Sequence, residues 1–223
     1  MAKLLIVGAT GLIGRQLVAR LLDEGVHEVA ALTRRPSGIS GANYSEQVAP
    51  GEEWPALVAA IQPDCIISAL GTTWRSAGKS EQAFRAVDQH LVLAVMAAAR
   101  GAGTRHAISV SSVGADARAR TFYLRVKGEV EQSLSALGFE RLDLMRPGLL
   151  RGERGSERRI GERLGILLSP ITDAVMGFGP LRRYRSVDSA VVAAAMATLV
   201  DRAAEGRFVH ENDDIAALAK RIK

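Results

Sequence analysis

The sequence predicts a doubly wound α/β fold with a mainly parallel sheet and a small C-terminal lobe. Short apolar runs of strand length, such as Leu4–Val7 and 65–70, alternate with longer stretches of helical periodicity. Hydrophobic residues make up 48% of the 223 residues and aromatic residues only 4%, which favours a large core of small aliphatic side chains. No repeat or linker divides the chain. We therefore expect one domain over 1–223, with 148–185 and 204–223 contributing the lobe.

Charge and cysteine content exclude several classes of protein. The net charge is +5, but acidic residues are interspersed through the arginine-rich zone 141–185 and aromatic residues are scarce there, so nucleic acid is an unlikely partner. The single cysteine, Cys65, lies in an apolar run, which predicts neither a disulfide nor a metal site. We find no signal-peptide pattern and no apolar stretch long enough to span a bilayer, and we expect a cytoplasmic protein.

The first strand runs directly into a glycine-rich turn. Gly8, Gly11 and Gly14 follow Leu4–Val7, and apolar pairs then recur at helical spacing. Only glycine allows the backbone to turn so sharply and to approach a ligand closely. The N–H groups and the positive dipole end of the helix would then face an anion such as a pyrophosphate. The turn therefore predicts nucleotide binding; the alternative is a plain joint between strand and helix.

Two arginines follow the second predicted strand, 28–33. NAD-binding folds usually place an acidic residue here to accept hydrogen bonds from the ribose, about 20 residues beyond the glycines. This chain has Arg34 and Arg35 instead, with no acid between Glu28 and Glu46. A guanidinium can bind a 2′-phosphate through two hydrogen bonds. The pair predicts NADP (NADPH) rather than NAD as cofactor; the alternative is two surface arginines in a loop.

The middle of the chain continues the alternation of strands and helices. We predict a short strand near 45–48, a helix over 52–61, a strand over 65–70, a helix over 82–100 and a strand over 106–110. The carboxyl ends of parallel strands face the ligand in such folds, so Leu70 and Gly71 are expected beside the nicotinamide ribose. The alternative is an ordinary strand–loop glycine.

A tyrosine and a lysine four residues apart follow the strand that ends in Ser111-Ser112. On a helix, Tyr123 and Lys127 share one face, one turn apart. A neighbouring ammonium favours the phenolate and thereby suits a tyrosine to proton transfer. A serine hydroxyl at the strand end could hold a carbonyl substrate against the phenol. The alternative is a surface pair, since this spacing is common by chance.

These motifs together resemble the short-chain dehydrogenase/reductase superfamily, in its atypical form with the glycine spacing G-x-x-G-x-x-G. The resembling stretches are Gly8–Gly14, Ser111-Ser112 and the Tyr123–Lys127 segment. The chain is most similar to the branch that includes the oxidoreductase HTATIP2 (TIP30/CC3), through 70–73, 111–116, 123–131, 146–150 and the two arginines. The resemblance implies an NAD(P)-binding Rossmann fold and covers nearly the whole chain.

The resemblance also implies roles for individual residues. Tyr123 would exchange the proton, and Lys127 would bind the nicotinamide ribose and assist Tyr123. Ser111 or Ser112 would meet the substrate; we favour Ser112, which lies nearer the mouth of the strand. The implied cofactor contacts are Gly8, Ala9, Thr10, Gly11, Leu12, Ile13, Gly14, Arg34, Arg35, Leu70, Gly71, Tyr123, Lys127, Leu150 and Arg158.

The expected activity is hydride transfer between NADPH and a small carbonyl or hydroxyl substrate. One departure from many extended members is the short interval of eleven residues between Ser112 and Tyr123. Nucleotide-sugar epimerase or dehydratase chemistry uses a similar site and stays open, although this interval argues mildly against it. A regulatory protein that senses NADPH with little turnover is the third alternative. The sequence specifies neither the substrate nor the oligomeric state.

In the C-terminal third of the chain, the alternation of predicted strands and helices is less regular. A strand over 139–145 precedes a polar segment at 148–161 and a helix over 160–176. A helix capped by Ser186 runs to about 203, a short strand covers 207–210, and a terminal helix covers 211–223.

Overall fold

A seven-stranded sheet forms the centre of the computed structural model, which describes residues 1–151 and 183–220. All six strand pairings are parallel, in the order β3-β2-β1-β4-β5-β6-β9. The strands are β1 (Lys3–Val7), β2 (Glu28–Thr33), β3 (Tyr44–Val48), β4 (Cys65–Ser68), β5 (His106–Val110), β6 (Arg141–Met145) and β9 (Gly206–His210), with β7 (Leu150–Arg151) and β8 (Val187–Asp188) forming a separate two-stranded ladder. The strand order reverses between β1 and β4. Doubly wound sheets bind their ligands at the carboxyl side of this point.

Helices cover both faces of the sheet. They are α1 (Leu12–Glu24), α2 (Trp54–Ile61), α3 (Glu81–Arg85), α4 (Val92–Gly101), α5 (Phe122–Ala136), α6 (Ser189–Val200) and α7 (Asn212–Ala219). Alternate residues of β1 serve the two layers: Leu4 and Ile6 pack with α1 and α6, whereas Leu5 and Val7 pack with α2, α4 and α5. A strand buried on both faces reads as a continuous apolar run, which is why the sequence reveals β1 so clearly. The predicted fold class is confirmed.

The predicted helix over 82–100 is not one regular helix. Residues Ala86–Leu91 form a π-helical segment between α3 and α4. Apolar spacing suggests helix but does not reveal a local change in hydrogen-bond register. π-helical insertions occur often at functional sites.

The C-terminal elements extend the main domain. β9 pairs with β6 at the edge of the sheet, and Ile215 of α7 is completely buried in the core. Residues 204–220 thus belong to the central sheet and the core of the main domain. From the sequence we expected them to form part of a separate C-terminal lobe. The residue that caps α6 is Asp188, which accepts a hydrogen bond from the Ala190 N–H at 2.7 Å. The prediction that Ser186 caps this helix is therefore wrong. The helix predicted over 160–176 lies outside the described residues.

One charged cluster is buried between the sheet and its helices. Asp143 of β6 is completely buried, and Arg141 binds both of its oxygens at 2.6 and 2.8 Å. His106 and His210 each place Nε2 within 2.8 and 2.7 Å of the same carboxylate. Arg141, the first residue of the arginine-rich zone noted in the sequence, is therefore buried and paired within the protein. Within 1–151 and 183–220, no helix has the length and apolar character needed to cross a membrane.

Candidate active site

The glycine-rich turn between β1 and α1 is shaped for close approach of a ligand. Gly8 has φ +90°, and a Cβ on it would lie 2.6 Å from the carbonyl of Ala69. A Cβ on Gly14 would lie 2.1 Å from the Gly8 carbonyl oxygen, so α1 could not pack so closely on β1 with any other residue. Gly11 caps α1 without any side-chain hydrogen bond. The start of α1 is thus a backbone surface suited to phosphate oxygens.

Arg34 and Arg35 lie at the carboxyl end of β2, next to the strand that carries the glycine turn. Both are exposed and directly follow the buried Thr33. Glu46 of β3 accepts hydrogen bonds from the Thr33 hydroxyl at 2.9 Å and from the Ser37 N–H at 3.1 Å. Although desolvation raises the pKa of Glu46, its hydrogen bonds with Ser37 and Thr33 outweigh this and lower it. This carboxylate therefore holds the loop that presents the two arginines.

A buried ion pair lies beneath the predicted catalytic helix. Lys127 is 5% exposed and Asp88 only 1%, and Lys127 Nζ lies 2.8 Å from Asp88 Oδ1. Burial by itself would lower the pKa of Lys127. Attraction to Asp88, and then to Tyr123 and Glu131, more than compensates and raises that pKa. Lys127 is consequently held as an ammonium, with the donor capacity to bind a ribose hydroxyl as well as Asp88.

Asp88 also anchors the turn that follows β4. Its second oxygen, Oδ2, accepts a hydrogen bond from the Thr72 N–H at 2.7 Å, and its Oδ1 lies 3.7 Å from a Cβ built on Gly71. The π-helical segment carries Asp88, so one carboxylate joins the Leu70–Thr72 turn to Lys127. Sequence reasoning assigned no role to Asp88. The sequence feature that could have indicated its burial is its position four residues, about one helical turn, before the buried Val92.

Tyr123 lies one turn before Lys127 at the start of α5. Its ring is 42% exposed and packs edge-to-face on Phe84, with the ring centroids 5.8 Å apart. The phenol hydroxyl is therefore accessible to a ligand, and the contact with Phe84 fixes the position of the ring. Tyr123 and Lys127 also interact electrostatically, as expected for one face of a helix.

The two candidate serines have different surroundings. The buried Ser111 hydroxyl donates to Glu131 Oε1 at 2.5 Å, and Arg146 binds both oxygens of that carboxylate. Ser112 is half-buried, and within the described residues its hydroxyl donates one long hydrogen bond, to the Val113 carbonyl oxygen at 3.3 Å. Ser111 is thus committed to a structural network. Ser112 is the serine whose hydroxyl could be recruited by a substrate.

The remaining predicted contacts lie after β6. Leu150 is half-buried in the β7–β8 ladder and packs against the core, whereas Arg158 lies outside the described residues. Asn212 of α7 fixes this region: its Oδ1 accepts from the Gly148 N–H at 2.9 Å, and its Nδ2 donates to the Arg185 carbonyl at 2.6 Å. This clamp could not be predicted from local sequence patterns, because it joins three segments that are distant along the chain.

Comparison with known proteins agrees with this geometry. A family model described as NAD(P)H-binding matches residues 8–164, more than half of the chain. A mitochondrial protein named fmp52, from Emericella nidulans, is 35% identical over 166 residues, which are 71% of this chain and 71% of that protein. A protein of the same name from Eremothecium gossypii is 37% identical over 170 residues, with 75% of each chain covered.

Solved structures of low sequence identity share the fold. The Bordetella bronchiseptica enzyme WbmH, in complex with NAD+, has a TM-score of 0.70 at 16% identity, covering 95% of this chain and 76% of its own. A short-chain dehydrogenase/reductase superfamily protein from Agrobacterium tumefaciens, with bound NAD, has a TM-score of 0.70 at 19% identity, covering 98% and 81%. At these identities the likeness establishes the fold.

The expectation of a cytoplasmic protein is contradicted by the relatives. The Fmp52 proteins quoted above, and another from Candida albicans that matches 84% of this chain, are all named as mitochondrial. Composition and hydropathy do not specify a compartment, so the sequence alone cannot distinguish a cytoplasmic from a mitochondrial protein.

The glycine turn, the parallel sheet and the family match lead to one assignment. The chain belongs to the family described as NAD(P)H-binding, is a relative of the Fmp52 proteins, and has a Rossmann-type α/β fold.

Proposed function

We propose that the protein is an NADP-dependent oxidoreductase that transfers hydride between NADPH and a carbonyl or hydroxyl compound. The observation that carries the proposal is the accessible Tyr123 phenol, one helical turn from an ammonium that Asp88 holds in a buried ion pair. An ion pair of this kind is costly to bury. Its position at the ligand edge of a nucleotide-binding sheet favours a catalytic role over a purely structural one.

The described residues fit an NADP cofactor. The backbone of the Gly8–Gly14 turn would hold the pyrophosphate, and the exposed Arg34 and Arg35 would bind the 2′-phosphate. Leu70 and Gly71, held by the Asp88–Thr72 hydrogen bond, would lie along the nicotinamide ribose. Leu150 is proposed as a further contact. Membership of the HTATIP2 branch and the contribution of Arg158 remain predictions from the sequence.

The chain supplies proton transfer and orientation. When bound, NADPH supplies a hydride to the carbonyl carbon of the substrate. The Tyr123 hydroxyl donates its proton to the carbonyl oxygen, so that an alcohol forms and the phenolate remains on the protein. The Lys127 ammonium stabilises this phenolate. The Ser112 hydroxyl donates a hydrogen bond to the same carbonyl oxygen and orients it toward Tyr123.

Replacement of Tyr123 by Phe tests the proposal. We expect Tyr123→Phe to lower kcat by roughly a hundredfold or more in NADPH oxidation with a panel of carbonyl compounds, because it removes the proton donor. Binding of NADPH should be unchanged, and NADPH should bind more tightly than NADH. Tyr44→Phe is the matched control: Tyr44 is on β3, and its hydroxyl contacts Ser37 at 3.4 Å. At saturating NADPH this variant should turn over like the wild type.

Two results would contradict the assignment. Turnover that is the same in Tyr123→Phe and the wild type would exclude Tyr123 as the proton donor. Tight binding of NADPH without turnover of any carbonyl in the panel would instead favour a cofactor-sensing protein.

A further inference from the structure

Four aromatic side chains meet beside the proposed catalytic tyrosine. The chain has only two Trp, three Tyr and five Phe residues. The ring of Trp74 packs on Phe122 with centroids 5.6 Å apart, Phe122 packs on Phe84 at 5.6 Å, and Phe84 packs on Tyr123 at 5.8 Å. All three contacts are edge-to-face, a favourable geometry for aromatic pairs. We call Trp74, Phe84, Phe122 and Tyr123 the aromatic wall.

The wall has a buried side and an exposed side. Phe84 of α3 is 1% exposed and anchors the cluster, whereas Trp74 is 44% and Tyr123 42% exposed. Clustered large rings that stay in contact with water often mark a surface that binds a ligand or partner. Here the exposed rings lie at the carboxyl edge of the sheet, where the proposed proton donor also lies. The wall therefore has the position of a substrate-binding surface.

The turn that carries Trp74 is fixed on both sides. The Trp74 carbonyl accepts a hydrogen bond from the Lys79 N–H at 2.9 Å, and the neighbouring Thr73 carbonyl accepts one from the Ala77 N–H at 2.9 Å. Two residues earlier, the Thr72 N–H donates to Asp88, the partner of Lys127. The Trp74 ring is thus held in place before any substrate binds, which reduces the ordering cost of a stacking contact.

The Arg85 guanidinium next to the wall is already paired within the protein. The Arg85 guanidinium lies 5.4 Å from the centroid of the Phe122 ring, and its Nη1 pairs with Glu129 and with the Gln89 side-chain oxygen, at 2.5 Å each. Glu129 raises the pKa of Arg85 through this hydrogen bond, so the cation is satisfied locally. Arg85 is therefore committed to its protein partners, and its charge is poorly placed to bind a substrate pyrophosphate.

We infer that the substrate is a planar aromatic or conjugated carbonyl compound, which stacks on the exposed Trp74 ring with its carbonyl group at Tyr123. This inference rests on the proposed reductase function and specifies its substrate class. The exposed Trp74 ring offers a flat apolar face, which favours a planar ring over the many hydroxyl groups of a sugar. Reduction of the stacked carbonyl is the two-electron step described above: the hydride adds to the carbonyl carbon, one proton from Tyr123 adds to the oxygen, and the phenolate then regains a proton from solvent.

Binding can be measured without turnover. Acetophenone is added to the protein in the presence of NADP+, which cannot reduce it, and tryptophan emission is followed. Trp74 is exposed and Trp54 is 2% exposed, so we expect saturable quenching of the solvent-exposed emission. Trp74→Phe retains only the buried Trp54, and its emission should show no saturable quenching. Equal saturable quenching in this variant, or none in the wild type, would overturn the inference.

Steady-state kinetics provide the second measurement. Acetophenone and cyclohexyl methyl ketone differ in the planarity of the ring, and both carry the same carbonyl. Trp74→Ala should raise KM for acetophenone about tenfold with little change in kcat, leave cyclohexyl methyl ketone nearly unaffected, and keep NADPH binding intact. Trp74→Phe should restore most of the loss. Val26→Ala, which removes an exposed apolar side chain (55% exposed) elsewhere, is the control.

The outcomes separate this inference from the proposed function. Equal loss for both ketones in Trp74→Ala would overturn the stacking role while leaving the reductase assignment intact. Saturable quenching by acetophenone without turnover of either ketone would support the aromatic site and contradict the reductase assignment.

Discussion

Two completely buried carboxylates, Asp88 and Asp143, lie in the same domain and have different consequences. Asp143 is enclosed by Arg141, His106 and His210, which together contact both of its oxygens. Arg141 is itself satisfied further, because its Nη1 donates to the Ala204 carbonyl at 2.6 Å. Nothing in this cluster is arranged to meet a ligand. It joins β5, β6 and β9, and we assign it to stability.

Asp88 has fewer partners and lies next to an accessible surface. It binds Lys127 and the Thr72 N–H, and Lys127 in turn lies one helical turn from the exposed Tyr123. Burial of charge therefore does not by itself identify a functional site. What distinguishes the Asp88 pair is the accessible phenol one helical turn from Lys127 and the glycine-rich turn at the end of the neighbouring strand β1. Three predictions test this contrast.

The largest expected effect is on stability, at Asp143. Asp143→Ala leaves the Arg141 guanidinium buried without its carboxylate, and we expect a loss of about 3–5 kcal/mol in the free energy of unfolding. Urea denaturation followed by circular dichroism measures this quantity. The folded fraction should still bind NADPH with wild-type affinity. A loss below about 1 kcal/mol would show that the cluster is not a structural anchor.

Asp88→Asn should have a smaller effect on stability and a clear effect on activity. The amide keeps the acceptor for Thr72 but removes the charge that offsets burial of Lys127. We expect a ten- to hundredfold lower kcat, roughly 1.4–2.7 kcal/mol. Because burial then lowers the Lys127 pKa without opposition from Asp88, the alkaline limb of the pH–rate profile should move to lower pH. An unchanged profile with unchanged kcat would mean that Asp88 serves only to hold the turn.

The contrast also shows how far the sequence could specify the molecule. Local patterns sufficed for the elements: the apolar run Glu28–Thr33 is a strand with the predicted bounds, and the glycine spacing correctly predicts the β1–α1 turn. These features depend on residues close together in the chain. The predicted fold class followed from them, because short strands alternating with helices form parallel sheets.

The ion pairs could not be predicted in the same way. Asp88 and Lys127 belong to different helices, and their contact depends on how both pack on the sheet. Asp143 lies between two leucines in β6, and its partners come from three strands, β5, β6 itself and β9. The helical stripe through Val92 shows that Asp88 is buried, but the periodicity does not say what it binds. Partner identity is a tertiary property.

The smallest expected effect is a difference in the pH dependence of stability. Desolvation would raise the pKa of Asp143, but hydrogen bonds from His106, His210 and Arg141 outweigh it and lower that pKa well below the usual range. A lowered carboxyl pKa stabilises the fold above about pH 4, the unfolded-state value, and this contribution is lost as pH falls through the folded-state pKa. Lys127 has the opposite sign. Its raised pKa stabilises the fold fully below about pH 10, and this contribution is lost as pH rises through the folded-state pKa.

Urea denaturation over a pH series measures both limbs. Asp143→Asn should flatten the acid limb and leave the alkaline limb unchanged, because it removes only the carboxylate that titrates at low pH. Asp88→Asn should abolish the alkaline decline that Lys127 contributes and leave the acid contribution of Asp143 in place. The two clusters share no residue, so the effects should add in the double variant. If either single substitution altered both limbs, the clusters would be coupled through the sheet, and the division into a structural and a catalytic ion pair would be wrong.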